Sequence, residues 1–269
     1  MKTRLMRTLA GGAALTLGLT LSACGSDDND STANGSDTES LPTVTEGTLT
    51  VCSDVPYPPF EDFDEGSELG FKGFDVDIVK EIADGLELDL VIQDSEFDPL
   101  QSGQTLSAGQ CDLAASAMTI TEEREENIDF TEPYYESKQS LLVPSGSDIA
   151  SIDDLSGKSV GVQRGTTGKA YTEENAPEDA EIVTVPSDAE MWSAMQAGNV
   201  DALLQDLPVN VEHTRDGDFE IVEEYETDES YGLALKEGSE LTESINEQLA
   251  EMRDNGRYDE IYESYFGTD

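Results

Sequence analysis

The sequences AGQCDL (residues 108–113) and AGNVDA (residues 197–202) share Ala, Gly and Asp at the same positions and occur in equivalent settings along the chain. Each follows a helical pattern, contains a glycine that typically ends a helix, and opens an apolar run that predicts a buried strand. The first run leads to Thr119 and Arg124, and the second leads to Asp206. We therefore predict two similar α/β units that bring opposite charges to a common cleft, which suits a zwitterion such as a free amino acid.

Predicted strands alternate with helices along most of the chain. Apolar runs at residues 48–53, 88–93, 113–118, 159–163, 182–185 and 202–205 alternate with helical patterns. This alternation indicates an α/β fold with mostly parallel sheets flanked by helices. Ligands of such sheets bind at the carboxyl ends of the strands. Four polar residues lie just past predicted strand ends: Asp54, Thr119, Thr167 and Asp206.

The start of the chain predicts export and lipid anchoring. Three basic residues precede the apolar residues 9–21, a stretch too short to span a bilayer comfortably, so residues 1–23 are interpreted as a signal peptide. The tetrapeptide ending at Cys24, LSAC, resembles a bacterial lipobox; the alternative is an ordinary signal peptide with a cysteine nearby. Residues 24–47 are mostly polar and small and predict a disordered tether. We expect a protein held by lipid on Cys24 at the outer face of the cell membrane.

The charge of the chain excludes some partners. It has 60 acidic and 14 basic residues, a formal net charge of −46. A surface this acidic repels nucleic acid and anionic lipid, so no nucleic-acid partner is expected. We interpret the excess as a solvated acidic shell.

The cysteines and the histidine exclude other chemistry. If Cys24 carries lipid, Cys52 and Cys111 remain as a pair in a compartment that permits disulfides. His213 is the one histidine, and no closely spaced cysteine pair is present, so a histidine triad or a metal site is not expected. We predict no cofactor.

Three polar residues are candidates for holding a charged ligand, each with a simpler alternative. Arg124 could hold a carboxylate through two parallel bonds, or could pair with neighbouring glutamates at the surface. Thr167 follows a glycine between a strand and a helix, where backbone N–H groups favour an anion, or it could be a plain N-cap. Asp206 suits an ammonium group, or could cap the helix that starts at Pro208.

The proline-rich loop after the first strand carries aromatic residues beside an acid. Tyr57 and Phe60 lie close to Asp54 on this loop. An aromatic wall with a nearby carboxylate suits an alkyl or cationic side chain. The alternative is packing between loop and sheet, and for Phe60 we favour that alternative.

Several motifs together give the chain a family resemblance. In order they are DVPYPPFE (54–61), GFDVD (73–77), MTITEER (118–124), IDFTEPYY (128–135) and GKSVGVQRGTT (157–167). With this spacing, residues 48–266 resemble the family 3 extracellular solute-binding proteins, the substrate-binding lipoproteins of polar amino-acid ABC transporters. The resemblance implies a two-lobed, type II periplasmic-binding-protein-like fold with two hinge strands. Lobe 1 would comprise residues 48–138 and 229–269, and lobe 2 residues 139–228.

The resemblance also implies a role for each site residue. Arg124, Thr119 and Thr167 would hold the ligand α-carboxylate, and the Ala117 carbonyl and the Asp206 carboxylate would hold the α-ammonium. The remaining ligand-binding residues would contact the side chain: Tyr57 and Phe97 would sandwich it, and Asp54 would face its polar or cationic end.

Two departures from the family pattern concern the ligand. Histidine- and lysine-binding members carry serine where this chain has Ala117, and an apparent insertion near residues 99–103 affects the alignment of Phe97. The resemblance predicts a free polar amino acid, with arginine, lysine or glutamine favoured. It also predicts a monomer that works with the ABC permease of the same system.

Two other classes of function remain as alternatives. Some proteins of this fold, such as cyclohexadienyl dehydratases, are lyases, and Glu61 or Asp54 would then serve as the general acid. A sensory input module would carry a kinase or cyclase domain after the binding lobes.

The acidic excess predicts a salt-dependent stability. Like-charge repulsion is screened over the short Debye length of molar salt, so the melting temperature of the ligand-free protein should rise clearly between low salt and about 1 M NaCl. Potassium chloride should act equally, because the effect is one of screening. A melting temperature that stays flat over this range would contradict the prediction.

Overall fold

The computed structural model describes residues 41–267. The predicted signal peptide, the predicted lipid site at Cys24 and residues 24–40 of the predicted tether lie outside the described residues. In residues 41–267, no helix combines the length and apolar character needed to cross a membrane.

The described chain alternates strands and helices. The strands are β1 (Thr48–Ser53), β2 (Asp62–Phe63), β3 (Phe71–Lys72), β4 (Asp89–Asp94), β5 (Leu113–Ala114), β6 (Ile128–Phe130), β7 (Tyr135–Pro144), β8 (Ser159–Gln163), β9 (Glu181–Val185), β10 (Ala202–Asp206), β11 (Phe219–Tyr231) and β12 (Ala234–Lys236). The helices are α1 (Phe74–Gly85), α2 (Phe97–Gln101), α3 (Gln104–Ser107), α4 (Glu122–Glu125), α5 (Thr167–Asn175), α6 (Asp188–Gln196), α7 (Leu207–His213), α8 (Leu241–Asp254) and α9 (Arg257–Phe266), with a 3-10 turn at Ile152–Leu155.

The first lobe is built on a sheet of order β4-β1-β5-β12-β6. β1 pairs in parallel with β4 and β5, and β12 joins β5 and β6 antiparallel. The apolar face of α1 carries Phe74, Ile78 and Ile82 into a core with Leu49 and Val51 of β1. The spacing of these helical residues is the reason that this segment folds as an amphipathic helix against the sheet.

The second lobe repeats this plan with a sheet of order β11-β7-β10-β8-β9. β8 pairs in parallel with β9 and β10, and β7 pairs antiparallel with β10 and β11. The strand interiors are apolar, and their core includes Leu141, Val160, Val162 and Leu204. Each sheet therefore has a parallel half, which is where the carboxyl ends of the strands meet a cleft.

β7 and β11 connect the two lobes and confirm the predicted hinge strands. β7 follows β6 of the first sheet and continues into the second, and β11 returns from the second sheet towards β12. The two strands pair over most of their length, with a register shift between Tyr225 and Glu229. The predicted two-lobed fold is thus confirmed.

Some predicted elements are shorter or broken in the structure. The strand expected over residues 113–118 ends at Ala114, and Ala117 adopts a left-handed backbone with φ of 43°. The single helix expected near the end of the chain is two helices, because Gly256 takes φ of 83° between them. Glycine adopts this conformation without the strain that a Cβ would cause, and so ends helices well.

Residues 41–47, the last residues of the predicted tether, are folded in the structure. Disorder was expected through residue 47, but Leu41 packs against the core of the first lobe. The backbone N–H of Val44 donates to Asp112 Oδ1 over 2.5 Å. The last residues of the predicted tether are therefore part of the folded lobe, since these contacts offset the cost of ordering a short segment.

Cys52 and Cys111 are joined by a disulfide in the first lobe. Their Cα atoms are 5.9 Å apart, within the range that a disulfide spans. Cys52 lies in β1 and pairs in register with Ala114, whereas Cys111 lies just before β5. The bond closes a loop that contains α1, β4 and the two short helices.

The disulfide should contribute measurably to stability. Because the two cysteines are 59 residues apart in sequence, opening the bond frees a long loop in the unfolded chain. The chain-entropy model gives about 4 kcal/mol for a loop of this length. In a fragment of residues 41–269, denatured without reductant, thiol titration should find no free thiol, and reductant should lower the melting temperature. Two titratable thiols would contradict the prediction.

Candidate functional site

A small cavity lies between the two lobes, where strands of both sheets end. All eight residues predicted to bind the ligand line this cavity, and three residues that the sequence analysis missed join them. The lining residues are Asp54, Tyr57, Phe97, Ser116, Ala117, Thr119, Arg124, Gln163, Thr166, Thr167 and Asp206. The structure therefore brings the candidate residues together in one place.

Arg124 provides a buried cation on the first lobe. Thr121 caps the short helix α4 by accepting a hydrogen bond from the Arg124 backbone N–H, and this cap sets the position of the arginine. The guanidinium donates from Nη1 to the Thr119 carbonyl over 2.6 Å and from Nη2 to the Gly165 carbonyl of the other lobe over 2.9 Å. Its Cζ lies 5.3 Å from the centre of the Phe97 ring, a cation–π arrangement.

The burial of Arg124 distinguishes a carboxylate-binding role from a surface ion pair. The residue is only 5% exposed, so it does not form the surface ion pair with neighbouring glutamates that was the alternative. Burial lowers the pKa of Arg124 to about 10, which still leaves a cation at neutral pH.

Asp206 provides the opposing carboxylate on the second lobe. It is the last residue of β10, and its side chain makes no capping bond to α7. Tyr57 Oη donates to Asp206 Oδ2 over 2.8 Å, and Gln139 Nε2 donates to Oδ1 over 2.5 Å. Burial raises the pKa of Asp206, while these hydrogen bonds and the charge of Arg124 oppose the increase.

Gln139 links Asp206 to the hinge. Its Nε2 atom also lies 2.8 Å from Glu229 Oε2 on β11 and 3.4 Å from Thr167 Oγ1. Burial raises the pKa of Glu229 to about 7. Both hinge strands thus contribute a side chain next to the anionic end of the cavity.

Asp54 forms a second acidic position at the end of β1. Gln163 Nε2 donates to Asp54 Oδ2 over 2.6 Å across the cleft and also reaches the Pro186 carbonyl at 3.1 Å. Burial raises the pKa of Asp54 to about 7 despite the Gln163 hydrogen bond, and the charges of Asp94 and Asp188 add to the increase.

The aromatic residues divide between the cavity and the core. Tyr57 and Phe97 line the cavity. Phe60 is fully buried in the core of the first lobe, where it contacts Tyr135 and Tyr231, as its packing alternative predicted. Phe97 begins the first of two short helices split at Gly103, whereas the sequence pattern predicts one helix over residues 99–108.

The loop before α5 brings polar groups of the second lobe to the cavity. Thr166, not Thr167, is the N-cap of α5, because its Oγ1 accepts from Lys169 N over 3.1 Å. The Thr167 hydroxyl is therefore not used as a cap and lies 3.5 Å from the Thr119 hydroxyl of the first lobe. Gly165 takes φ of 79°, and a Cβ on it would lie 3.0 Å from Asp98 Oδ1, so the loop tolerates only glycine against α2.

Four polar contacts across the cleft show that the lobes are closed on each other. They join Tyr57 to Asp206, Asp54 to Gln163, Arg124 to Gly165 and Thr119 to Thr167. A small polar molecule held between the lobes would be shielded from bulk water, and its charges would then interact strongly with the cavity walls.

One of the missed residues was predictable from the sequence. Gln163 is the last residue of the predicted strand at 159–163, so the strand-end rule that selected Asp54 applies to it equally. Gln139 lies within a hinge strand, and Ser116 lies where the chain leaves β5 early, so neither follows a strand-end pattern.

The fold and this site define a two-lobed binding protein that closes over a small charged molecule. Residues 49–268 match bacterial extracellular solute-binding proteins, family 3, and the chain belongs to that family. The family predicted from the sequence motifs is therefore confirmed.

Individual relatives cover most of the chain. The ABC transporter glutamine-binding protein GlnH of Bacillus subtilis is 37% identical over 202 residues, which is 74% of this chain and 74% of that protein. Among solved structures, an ancestral arginine-binding protein bound to arginine is 36% identical with a TM-score of 0.77, over 82% of this chain and 99% of its own.

A third relative connects the fold to an enzyme lineage. The ancestral amino acid-binding protein AncCDT-1, a precursor of cyclohexadienyl dehydratase, is 32% identical with a TM-score of 0.73. It covers 82% of this chain and 95% of its own. The relatives named as binding proteins and this precursor share one architecture, so the fold alone does not distinguish binding from catalysis.

The raised pKa of Asp54 predicts a pH-dependent stability. The carboxyl titrates near its ordinary value of 3.8 in the unfolded chain and at about 7 in the folded protein. Between these values the folded state binds more protons, so Asp54 lowers stability progressively as the pH rises from about 4 to about 7, on the order of 4 kcal/mol in full. Asp54→Asn removes this loss while keeping an oxygen that accepts from Gln163.

The measurement is thermal unfolding of the ligand-free protein over this pH range. As the pH rises over this range, the melting temperature of Asp54→Asn should increase relative to that of the parent. Glu178→Gln, at an exposed acid that is not among the charges raising the Asp54 pKa, should track the parent. Parallel curves for Asp54→Asn and the parent would contradict the prediction.

Proposed function

We propose that this protein captures a free polar amino acid between its lobes and delivers it to the permease of an ABC importer. The observation that carries the proposal is the position of Arg124 and Asp206, opposite charges from different lobes in one buried cavity. Charged groups are rarely buried without a charged partner, and a zwitterion supplies one for each.

The ligand carboxylate would bind at Arg124. A guanidinium has five N–H donors, and the recorded bonds to Thr119 and Gly165 use two of them, so donors remain for a carboxylate. The hydroxyl groups of Thr119 and Thr167 face each other across the cleft, 3.5 Å apart. Together these groups can hold both oxygens of a carboxylate through charge-assisted hydrogen bonds.

The ligand ammonium would bind at Asp206. Tyr57 and Gln139 already orient this carboxylate, so it is fixed in place before a ligand arrives. The Ala117 carbonyl would accept a second hydrogen bond from the ammonium group. A ligand that lacks either charged end would leave one buried charge of the protein unpaired.

The charges of the cavity favour a cationic side chain. Among the lining residues that the structure describes, Asp54 and Asp206 are acidic and Arg124 is basic, which leaves one negative charge in excess. A zwitterion is neutral and does not balance it, whereas arginine or lysine brings one more positive charge to Asp54. Glutamine would bind through its amide donors with a smaller gain. The aromatic rings of Tyr57 and Phe97 would enclose the side chain.

The relatives support the same ligand class. An ancestral arginine-binding protein has this fold, and it and the glutamine-binding protein GlnH are each more than a third identical to the chain over the aligned residues. We propose that lobe 1 comprises residues 48–138 and 229–269, with lobe 2 between them, since the register shift in β11 ends at Glu229. Export, a lipid on Cys24 and a monomeric state complete the proposal.

We propose binding without turnover. A lyase needs a general acid that reaches the ligand, but Glu61 is fully buried and is not among the residues that line the cavity. Asp54 does line it and is held by Gln163. Recovery of the bound amino acid unchanged after long incubation would support this view, and formation of a new product would contradict it.

A thermal-shift screen of the twenty amino acids tests the proposal. A ligand that binds the folded state stabilises it by RT ln(1 + [L]/Kd), so arginine and lysine should raise the melting temperature most, followed by glutamine. Shifts with leucine or glutamate and none with these three would contradict the proposed ligand class.

One variant with a matched control tests the site. Arg124→Ala should weaken binding of the best ligand by about 2–5 kcal/mol, because it leaves a buried carboxylate unpaired. Arg164→Ala, at an exposed arginine outside the cavity lining, should bind like the parent. Arg124→Ala binding as tightly as Arg164→Ala would show that the site is assigned wrongly.

A further inference from the structure

Two buried carboxyl groups lie under the floor of the cavity, outside its lining. Glu61 is 0% exposed and Asp75 is 1% exposed. Glu61 Oε1 accepts from Ser116 Oγ over 2.6 Å, and Asp75 Oδ2 accepts from the Ala117 backbone N–H over 2.8 Å. The two acids therefore hold consecutive residues of the floor.

The two acids also belong to neighbouring pieces of backbone. The N–H of Asp75 donates to the Phe60 carbonyl over 3.0 Å, directly before Glu61 in the chain. Gly73 lies so close to this segment that a Cβ on it would be 2.8 Å from Glu61 N. The start of α1 and the end of the proline-rich loop are thus packed together, with one carboxyl group from each.

One oxygen of each carboxyl group lacks a hydrogen-bond partner among the described residues. Glu61 Oε2 and Asp75 Oδ1 are both buried, and neither has a hydrogen-bond partner among the described residues. Buried polar atoms in folded proteins are nearly always paired, because an unpaired one costs its full desolvation energy. Two ionised carboxylates cannot satisfy each other, since both only accept hydrogen bonds.

We propose that Glu61 and Asp75 share one proton between Glu61 Oε2 and Asp75 Oδ1, and that this acid–carboxylate pair is a positioning device for the ligand-binding floor. A single proton satisfies both leftover oxygens and removes one of two buried like charges. The oxygens that face Ser116 and Ala117 stay free to accept their existing bonds.

The electrostatic surroundings agree with one retained proton. Burial, followed by the charge of Asp75, raises the pKa of Glu61 well above its usual range, and burial raises the pKa of Asp75 to about 7. Tyr134 Oη donates to Asp75 Oδ2 over 2.8 Å and so fixes which oxygen of Asp75 is already used. The titratable groups that surround the pair are Tyr57, Tyr134, Tyr258, Asp54 and Asp206.

The Glu61–Asp75 pair affects ligand binding through the residues to which it is hydrogen-bonded, Ser116 and Ala117. Ala117 adopts φ of 43°, a conformation that residues other than glycine rarely take, and its N–H is bonded to Asp75. Ser116 Oγ accepts from Asp54 N over 3.0 Å while it donates to Glu61, so the same pair also holds the end of β1. This step rests on the proposed function, in which the Ala117 carbonyl and Asp54 contact the amino acid.

Amide substitutions reproduce or break the shared-proton arrangement. In Glu61→Gln the amide oxygen would accept from Ser116, and its NH2 would donate to Asp75 Oδ1. In Asp75→Asn the amide oxygen would accept from Ala117 and Tyr134, and its NH2 would donate to Glu61 Oε2. The double variant would place two NH2 groups against each other, with both carbonyl oxygens fixed by their other partners.

The first test is a double-mutant cycle on the thermal stability of the ligand-free protein. Each single variant should melt within about 2 °C of the parent, and the double variant should melt lower by about 5 °C or more. Additive effects, or a single variant that loses as much as the double variant, would overturn the shared proton. If the double variant does not fold, infrared spectra of the parent and the two single variants test the shared proton instead. At about pH 7 the parent should show a C=O band of a protonated carboxyl that both single variants lack, and identical carboxyl bands would overturn it.

The second test measures arginine binding by calorimetry for the same proteins. Each single variant should bind within about threefold of the parent and the double variant about tenfold or more weakly, a difference of about 1.4 kcal/mol or more. Parent-like binding by a folded double variant would overturn the positioning role. If the parent itself binds none of the amino acids, the proposed function fails, while the stability cycle still decides the shared proton.

Discussion

The bond from the Arg124 guanidinium to the Gly165 carbonyl joins the lobes at the point where the ligand carboxylate would bind. A buried guanidinium has to direct its donors at acceptors, and here one acceptor belongs to each lobe. The Arg124 side chain therefore contacts the second lobe directly, and this contact depends on the closed position of that lobe. A carboxylate that enters this space would add charge-assisted bonds to a group that both lobes already surround, so binding and closure are coupled through one side chain.

The other polar groups of the cavity can be explained by the need to balance the negative charge of its buried carboxyl groups. Asp54, Asp206 and Glu229 surround the cavity or its edge, and burial raises the pKa of each. In the closed form their carboxyl groups compete for protons, for amide donors from Gln139 and Gln163, and for the charge of Arg124. A cationic amino acid would replace protons with positive charge of its own. Under the proposed function, the acidity of the site would therefore favour a cationic ligand.

Much of the fold could be predicted from the sequence, because it is encoded in local patterns. The strand at 159–163 was predicted with its observed limits. The predictions were wrong where tertiary contacts override local patterns. The strand after Leu113 ends early because Asp75, far away in sequence, holds Ala117 in a left-handed conformation. The site residues at strand ends follow a general rule of α/β sheets. Gln139 follows no such rule, because it lies within hinge strand β7 and contacts Asp206 from there.

The central claim is that the two lobes recognise both charged ends of a free amino acid, one through Arg124 and the other through Asp206. Calorimetric titration of arginine beside agmatine, which has the same side chain and amine but lacks the carboxylate, tests this claim most directly. We predict that arginine binds and that agmatine binds more weakly by about 2–5 kcal/mol, because the buried guanidinium then has no carboxylate to pair with. Equal affinities for arginine and agmatine would contradict the account, since they would show that the carboxylate is not bound in the cavity.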